Sequence, residues 1–410
     1  MLRQRGRVGL MAAALVTLVV GGAQAHVTTE ESASILVFPR VIADGTRDTI
    51  IQITNTSNSM VHAHCFYVNG ALTDPLSPPC NPNDPFCTNP PLWTELDFDI
   101  WLTKQQPTHW VVSQGRNPEA TLMAEPCDDN PPNFSCNDAG LNIGAVPPEV
   151  EDFTGELKCI EVDMTGAPVS GNHLKGEATE VIFNRCRIGD DPPSTDRSCV
   201  ITGQDCTTSD DCDDVFDVAK YNAIGIIGNE NNDGDPVLCL GGEPSEQCPN
   251  GAEYNACPAF WIANHFADGA EDPLVGSGSE VETTWTIVPC TQNFESQTPE
   301  TVTIFIETFN EFEQSFSSFA NFTCWGNFEL NHPEGSGPVP FSVDTLGSSF
   351  VQSRLRSTAQ TPSGFLMVGL ESHETEDEYE SFAAVNYHVE GERTGGDIIT
   401  IPADQVGQTP

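Results

Sequence analysis

Nine histidines and sixty carboxylates are spread along 410 residues, and few of them are spaced for chemistry. His62-Ala-His64 is the sharpest pair. Side chains alternate along a strand, so both imidazoles fall on one face, about 7 Å apart. Met60 shares that face and Cys65 is adjacent. A third histidine, His26, directly follows Ala23-Gln24-Ala25, a small-x-small export cleavage site. Cleavage there frees an α-amine beside the His26 imidazole. Completed by His62 or His64, that nitrogen set suits copper, as in the histidine brace of copper-dependent polysaccharide monooxygenases. Against it, Val27 to Ser32 reads as a flexible leader, a poor platform for a brace.

Calcium is the second metal to consider. Asn229, Asn231, Asp233 and Asp235 place oxygen donors at alternate positions around Gly234. The twelfth position is Leu240 rather than Glu, so the segment is not an EF-hand. Asp210-Asp211 and Asp213-Asp214 flank Cys212 in a similar way. A solvated acidic loop accounts for the same residues.

Hydrolytic signatures are missing. The chain has no Gly-x-Ser-x-Gly, no His-Glu-x-x-His and no phosphate-binding Gly-x-x-x-x-Gly-Lys-Ser/Thr. His109, between Thr108 and Trp110, is a conceivable base but more simply a packing residue. An acid pair for glycoside cleavage has no feature to select it. No catalytic residue is assigned. Trp93, Trp101 and Trp110 lie close in sequence, and Trp261 is near His265. Exposed rings of this kind stack on sugars.

The compartment decides how the cysteines are read. Arg3, Arg5 and Arg7 precede an uncharged apolar run from Val8 to Val20, so residues 1–25 read as a secretory signal peptide. All 15 cysteines follow it: Cys65, Cys80, Cys87, Cys127, Cys136, Cys159, Cys186, Cys199, Cys206, Cys212, Cys239, Cys248, Cys257, Cys290 and Cys324. None is spaced Cys-x-x-Cys, which argues against zinc-ribbon and thioredoxin-like sites. In an exported chain the expectation is disulfides, with one thiol left over from the odd count. No later run of 18 apolar residues offers a membrane span.

Charge narrows the partners. Without the signal peptide, thirteen basic residues face sixty acidic ones, a net −47. Such a surface repels nucleic acid and anionic membranes. A surface polysaccharide or another exported protein fits better.

The elements that must position these residues read as strands. Ser34–Val41, Asp48–Thr54, Met60–Val68, Phe98–Leu102, His109–Ser113, Glu156–Asp163, Gly176–Asn184 and Tyr221–Ile227 are short, β-branched or alternating runs between turn signals. Asp48–Thr54 and Met60–Val68 suggest a hairpin across Asn55–Ser59. Phe309, Phe312, Phe316 and Phe319 are spaced for one or two helical turns at most. Four blocks recur loosely in order, beginning with Asp48–Tyr67 against Glu300–Trp325. The expected organisation is a leader at 26–33, a β-sandwich at 34–228 with Cys-rich insertions, a Cys-rich connector at 229–280, a second β-sandwich at 281–403 and a tail at 404–410.

Ile50–Tyr67 with Asp97–Leu102, and Asn264–Ala270 with Trp285–Cys290 and Asn310–Gln314, resemble uncharacterised secreted proteins of Gram-negative bacteria. That resemblance implies an all-β fold of two tandem Ig-like β-sandwich domains and carries no catalytic residues. The expected function is a secreted or surface-associated, non-catalytic structural or adhesive protein. The alternatives are an exported metal-binding protein, with copper or calcium, and a secreted hydrolase.

Overall fold

The computed structural model describes residues 27–71, 92–116, 146–148, 153–188, 197–330, 341–358, 363–375 and 379–403. They are almost entirely β. One sheet is buried on both faces, and its sequence shows why. β1 (Ile35–Ala43), β3 (Val61–Asn69) and β6 (Phe153–Val162) carry near-continuous buried runs rather than clean alternation. With β4 (Thr94–Leu102) and β11 (Ile224–Ile226) they form an antiparallel sheet in the order β11-β1-β6-β3-β4.

The second sheet has alternating strands with one wet face. Its order is β10-β7-β2-β5, from β10 (Phe216–Asn222), β7 (Leu174–Phe183), β2 (Arg47–Asn55) and β5 (Pro107–Val111). A third, three-stranded sheet joins β12 (Val237–Leu240), β23 (Asp397–Thr400) and β15 (Gln292–Asn293). The fourth runs β17-β16-β19-β13-β22, from β17 (Ser315–Thr323), β16 (Thr301–Asn310), β19 (Phe350–Ser357), β13 (Pro258–Phe266) and β22 (His388–Glu392). The fifth runs β18-β14-β20-β21, from β18 (Gly326–Glu329), β14 (Glu280–Pro289), β20 (Phe365–Glu374) and β21 (Glu380–Val385).

These five small sheets are the blades of a β-propeller, and the expectation of two tandem Ig-like sandwiches is overturned. Three observations go with the correction. Among the described residues the main apolar core runs from Val27 to Ile401 and takes residues from both halves, with two small clusters beside it. The 229–280 segment supplies β12 to the third sheet and β13 to the fourth, so it does more than connect. Buried Arg40 grips Glu180 with two hydrogen bonds, at 2.6 and 3.1 Å, and also donates to Thr286 and Asn327. Sandwiches and propellers use the same short alternating strands. Which strands pair is a non-local choice that periodicity does not encode.

The internal duplication fails for the same reason. β2 and β3 lie in different sheets, whereas β16 and β17 are a true hairpin. The four phenylalanines at helical spacing are spread over that hairpin. Asn310 builds its turn, its Oδ1 accepting from Phe312 N–H and Gln314 N–H.

Five disulfides are made among the described residues: Cys65–Cys159, Cys186–Cys206, Cys199–Cys212, Cys239–Cys248 and Cys257–Cys290. Cys65 and Cys159 are direct cross-strand partners on β3 and β6. Cys324 is a buried free thiol. Cys80, Cys87, Cys127 and Cys136 lie outside the described residues. Among the described residues no helix is long and apolar enough to cross a membrane.

Candidate functional site

His62 and His64 share one face of β3, as the spacing predicts. β4 places Trp101 opposite His62 and Asp99 opposite His64. The Asp99 carboxylate lies between the two rings. Its Oδ1 is 2.7 Å from His62 Nε2 and 2.9 Å from His64 Nδ1. His62 Nδ1 is 2.9 Å from the Asp163 carbonyl, and His64 Nε2 is 3.2 Å from Asp97 Oδ2. Trp101 stacks on His62 at 4.3 Å between centroids.

The electrostatics follow from that packing. Burial disfavours the charged form of His64, but the hydrogen bonds and charges of Asp97 and Asp99 together outweigh it and push the imidazole up to about 9. Burial also opposes ionisation of Asp99, yet its histidine partners hold its carboxyl well below the usual range. Glu95 is pushed up to about 8 by burial and by the neighbouring Asp97 charge. The cluster is a histidine–carboxylate knot in which both rings already hold oxygen partners.

His26 lies outside the described residues. Thr28 bridges to Gly225 of β11, at the opposite edge of the sheet from β4. The structure pairs His62 and His64 with the carboxylates of Asp97 and Asp99.

The acidic loop is tied up in its own turns. Asp233 Oδ1 accepts from Asp235 N–H, and Asp235 Oδ1 from Val237 N–H. Asp233 Oδ2 takes the Asn250 amide, while Asn231 donates to the Ala252 carbonyl. Asn229 N–H donates to the Glu253 carbonyl. Among the described residues, the donor groups that do converge are Cys199, Cys206 and Cys212, and Cys257, Cys290 and Asp397. All five of those cysteines are in disulfides.

The remaining sequence candidates divide. His109 is exposed on β5, along a 370 Å³ groove with Lys175 and Glu177. Trp110 and Trp261 are core residues, their indole N–H groups donating to Tyr67 Oη and the Phe365 carbonyl. Buried rings do not stack on a ligand.

Sequence reasoning missed the outer face of the fourth sheet. Phe319 on β17 faces Phe305 on β16, which faces Arg356 on β19. Phe305 and Phe319 touch with centroids 5.1 Å apart. Arg356 lies 5.2 Å from the Phe305 ring and 6.0 Å from Phe260 on β13. Arg354 covers Phe260 at 4.4 Å and pairs with Glu390 of β22. The result is a row of aromatic rings and guanidiniums across the sheet. Phe319 is 65% exposed, so the row meets solvent rather than a neighbouring layer. The signal was the alternation of Phe305, Glu307 and Phe309, and of Gln352, Arg354 and Arg356. Alternation does not say which of its two faces is wet.

No family model and no curated protein matches this chain.

What the row can do follows from its groups. Flat rings stack on apolar C–H faces, and guanidiniums donate several hydrogen bonds at fixed angles. Neither is a nucleophile or a general base at neutral pH. The row is equipped to bind.

Proposed function

We propose that the protein is an exported, non-catalytic adhesive module that holds a neutral surface polysaccharide on the outer face of the fourth sheet. The row Phe319–Phe305–Arg356–Phe260–Arg354 carries this reading. Rings that stack on sugar faces alternate with planar donors that reach sugar hydroxyls. The partner is neutral because the chain is strongly acidic, at −44 overall, and repels anionic polymers. Export is supported by the signal-like first 25 residues and by five disulfides, which persist in oxidising compartments.

Retention on insoluble neutral glucans (cellulose, curdlan and granular starch) tests the reading. At least one should retain the wild-type protein, and Phe319→Ala with Arg356→Ala should release it. A folded wild-type protein that none of them retains would overturn the assignment.

A further inference from the structure

Lys158 on β6 of the first sheet meets Gln292 on β15 of the third in the protein interior. Lysine is seldom fully buried, yet the Lys158 side chain is, and so is that of Glu156, two residues away on the same face of β6. The Lys158 ammonium lies 2.9 Å from Glu156 Oε2. It donates to Glu156 Oε1 at 3.0 Å, to the Pro289 carbonyl at 3.2 Å and to Gln292 Oε1. Gln292 is buried too, and its Nε2 donates to the same Glu156 Oε1 at 2.9 Å. Phe294 stacks on Phe66 of β3 with centroids 4.2 Å apart, and its ring centre is 6.0 Å from Lys158 Nζ. An amine, a carboxamide and a carboxylate are thus held against one another beside buried rings.

Those are the three groups that an amide exchange requires. A buried pair of opposite charges is costly to hold. Burial keeps the Glu156 carboxyl above the usual carboxylate value even beside the lysine. A proton that passes from Nζ to Glu156 leaves both groups neutral, which a site without water favours. The amine then carries a lone pair next to the carbonyl group it touches. Well-oriented groups held within one molecule react as if at about 10⁵–10⁸ M.

We propose that Lys158 and Gln292 join in an intramolecular isopeptide bond, with Glu156 as the acid–base group. The Nζ lone pair attacks Gln292 Cδ, the new C–N bond forms and charge gathers on Oε1. Protonated Glu156 gives its proton to Nε2 and takes another from Nζ. The carbonyl re-forms, the Cδ–Nε2 bond breaks and ammonia leaves. One proton of the original ammonium remains on Glu156, so atoms and charge balance without an oxidant or a co-reactant. The product puts a neutral amide where a buried ion pair stood. It ties the first sheet to the third across 134 residues with a link that reductant does not open. The bond is independent of the aromatic row and of what that row binds.

Peptide mapping of the folded, purified full chain tests this, after denaturation, reduction and digestion with a glutamate-specific protease. Cuts after Glu156, Glu161, Glu282 and Glu295 release residues 157–161 and 283–295. The expected product is one branched peptide that joins the two, lighter by one ammonia than their sum. Tandem mass spectrometry should place the link at Lys158 and Gln292. Glu156→Gln keeps both partners and removes the proton carrier, so the link should be lost in the folded variant. Wild-type protein that yields the two segments only as linear peptides has an ion pair alone and would overturn the proposal, whether or not the variant folds. A folded Glu156→Gln that still forms the link would overturn the role given to Glu156.

Discussion

The Arg354 guanidinium lies 4.4 Å from the centroid of the Phe260 ring on the neighbouring strand. A cation held over a ring at an exposed site gains roughly 0.5–1 kcal/mol. That is little for stability, but together with the hydrogen bond from Nη2 to Glu390 it fixes the guanidinium beside the ring. Lysine keeps the charge and loses the plane. Arg354→Lys with Arg356→Lys should therefore bind glucan about three- to tenfold more weakly, with an unchanged melting temperature. A co-sedimentation isotherm beside a thermal melt checks both halves.

Arg40 is where the sheets lock together. Its guanidinium is buried against Glu180 and also reaches Thr286 and Asn327. Removing Arg40 leaves buried Glu180 with Arg47 Nε, 3.9 Å away, as a weaker partner, at a cost of up to about 3–5 kcal/mol. Arg40→Ala should lose that much in urea unfolding. Arg40→Met with Glu180→Leu should recover most of it, because no charge is left unpaired.

His64 gives an alkaline limit. Its folded value of about 9 lies above the ordinary 6.5, so the folded state binds the proton more tightly. Its contribution is whole below pH 6.5 and is lost as pH rises through 9. Wild type should fall in melting temperature between pH 7 and 10 more steeply than His64→Gln does.

His265 gives the acid limit. It is fully buried between Trp285 and Phe341, and burial, partly offset by the nearby Phe266 carbonyl, lowers it to about 4. The folded state thus favours the neutral ring. Its contribution is present above pH 6.5 and is lost as pH falls from there towards 4. Melting temperature should drop across that window, and less so in His265→Phe.

Cys324 should be inert. Burial pushes its thiol up to about 12, so thiolate is scarce at neutral pH. Iodoacetamide at pH 8 should leave it unmodified in the native protein and alkylate it in urea without reductant.

Local features were legible in the sequence and pairings were not. The alternation in β2, β7 and β16 marks strands with one wet face, and His62-x-His64 shows two imidazoles on one side. Asp99 arrives from 35 residues away, on a strand whose register with β3 no local pattern sets. The same holds for Cys65 and Cys159, 94 residues apart, and for Arg356 beside Phe305. The tandem-sandwich expectation failed at this level. The strands were visible, but not their neighbours. Composition does not separate the two readings of the acidic loop, since Asn and Asp that close turns have the same composition as those that hold an ion.

Retention of the Phe319→Ala, Arg356→Ala double variant on a neutral glucan tests the central claim most directly. Both side chains are exposed, so the fold should keep its melting temperature. The account predicts that wild type is retained and that the double variant binds at least tenfold more weakly. Equal retention of the folded double variant would contradict it.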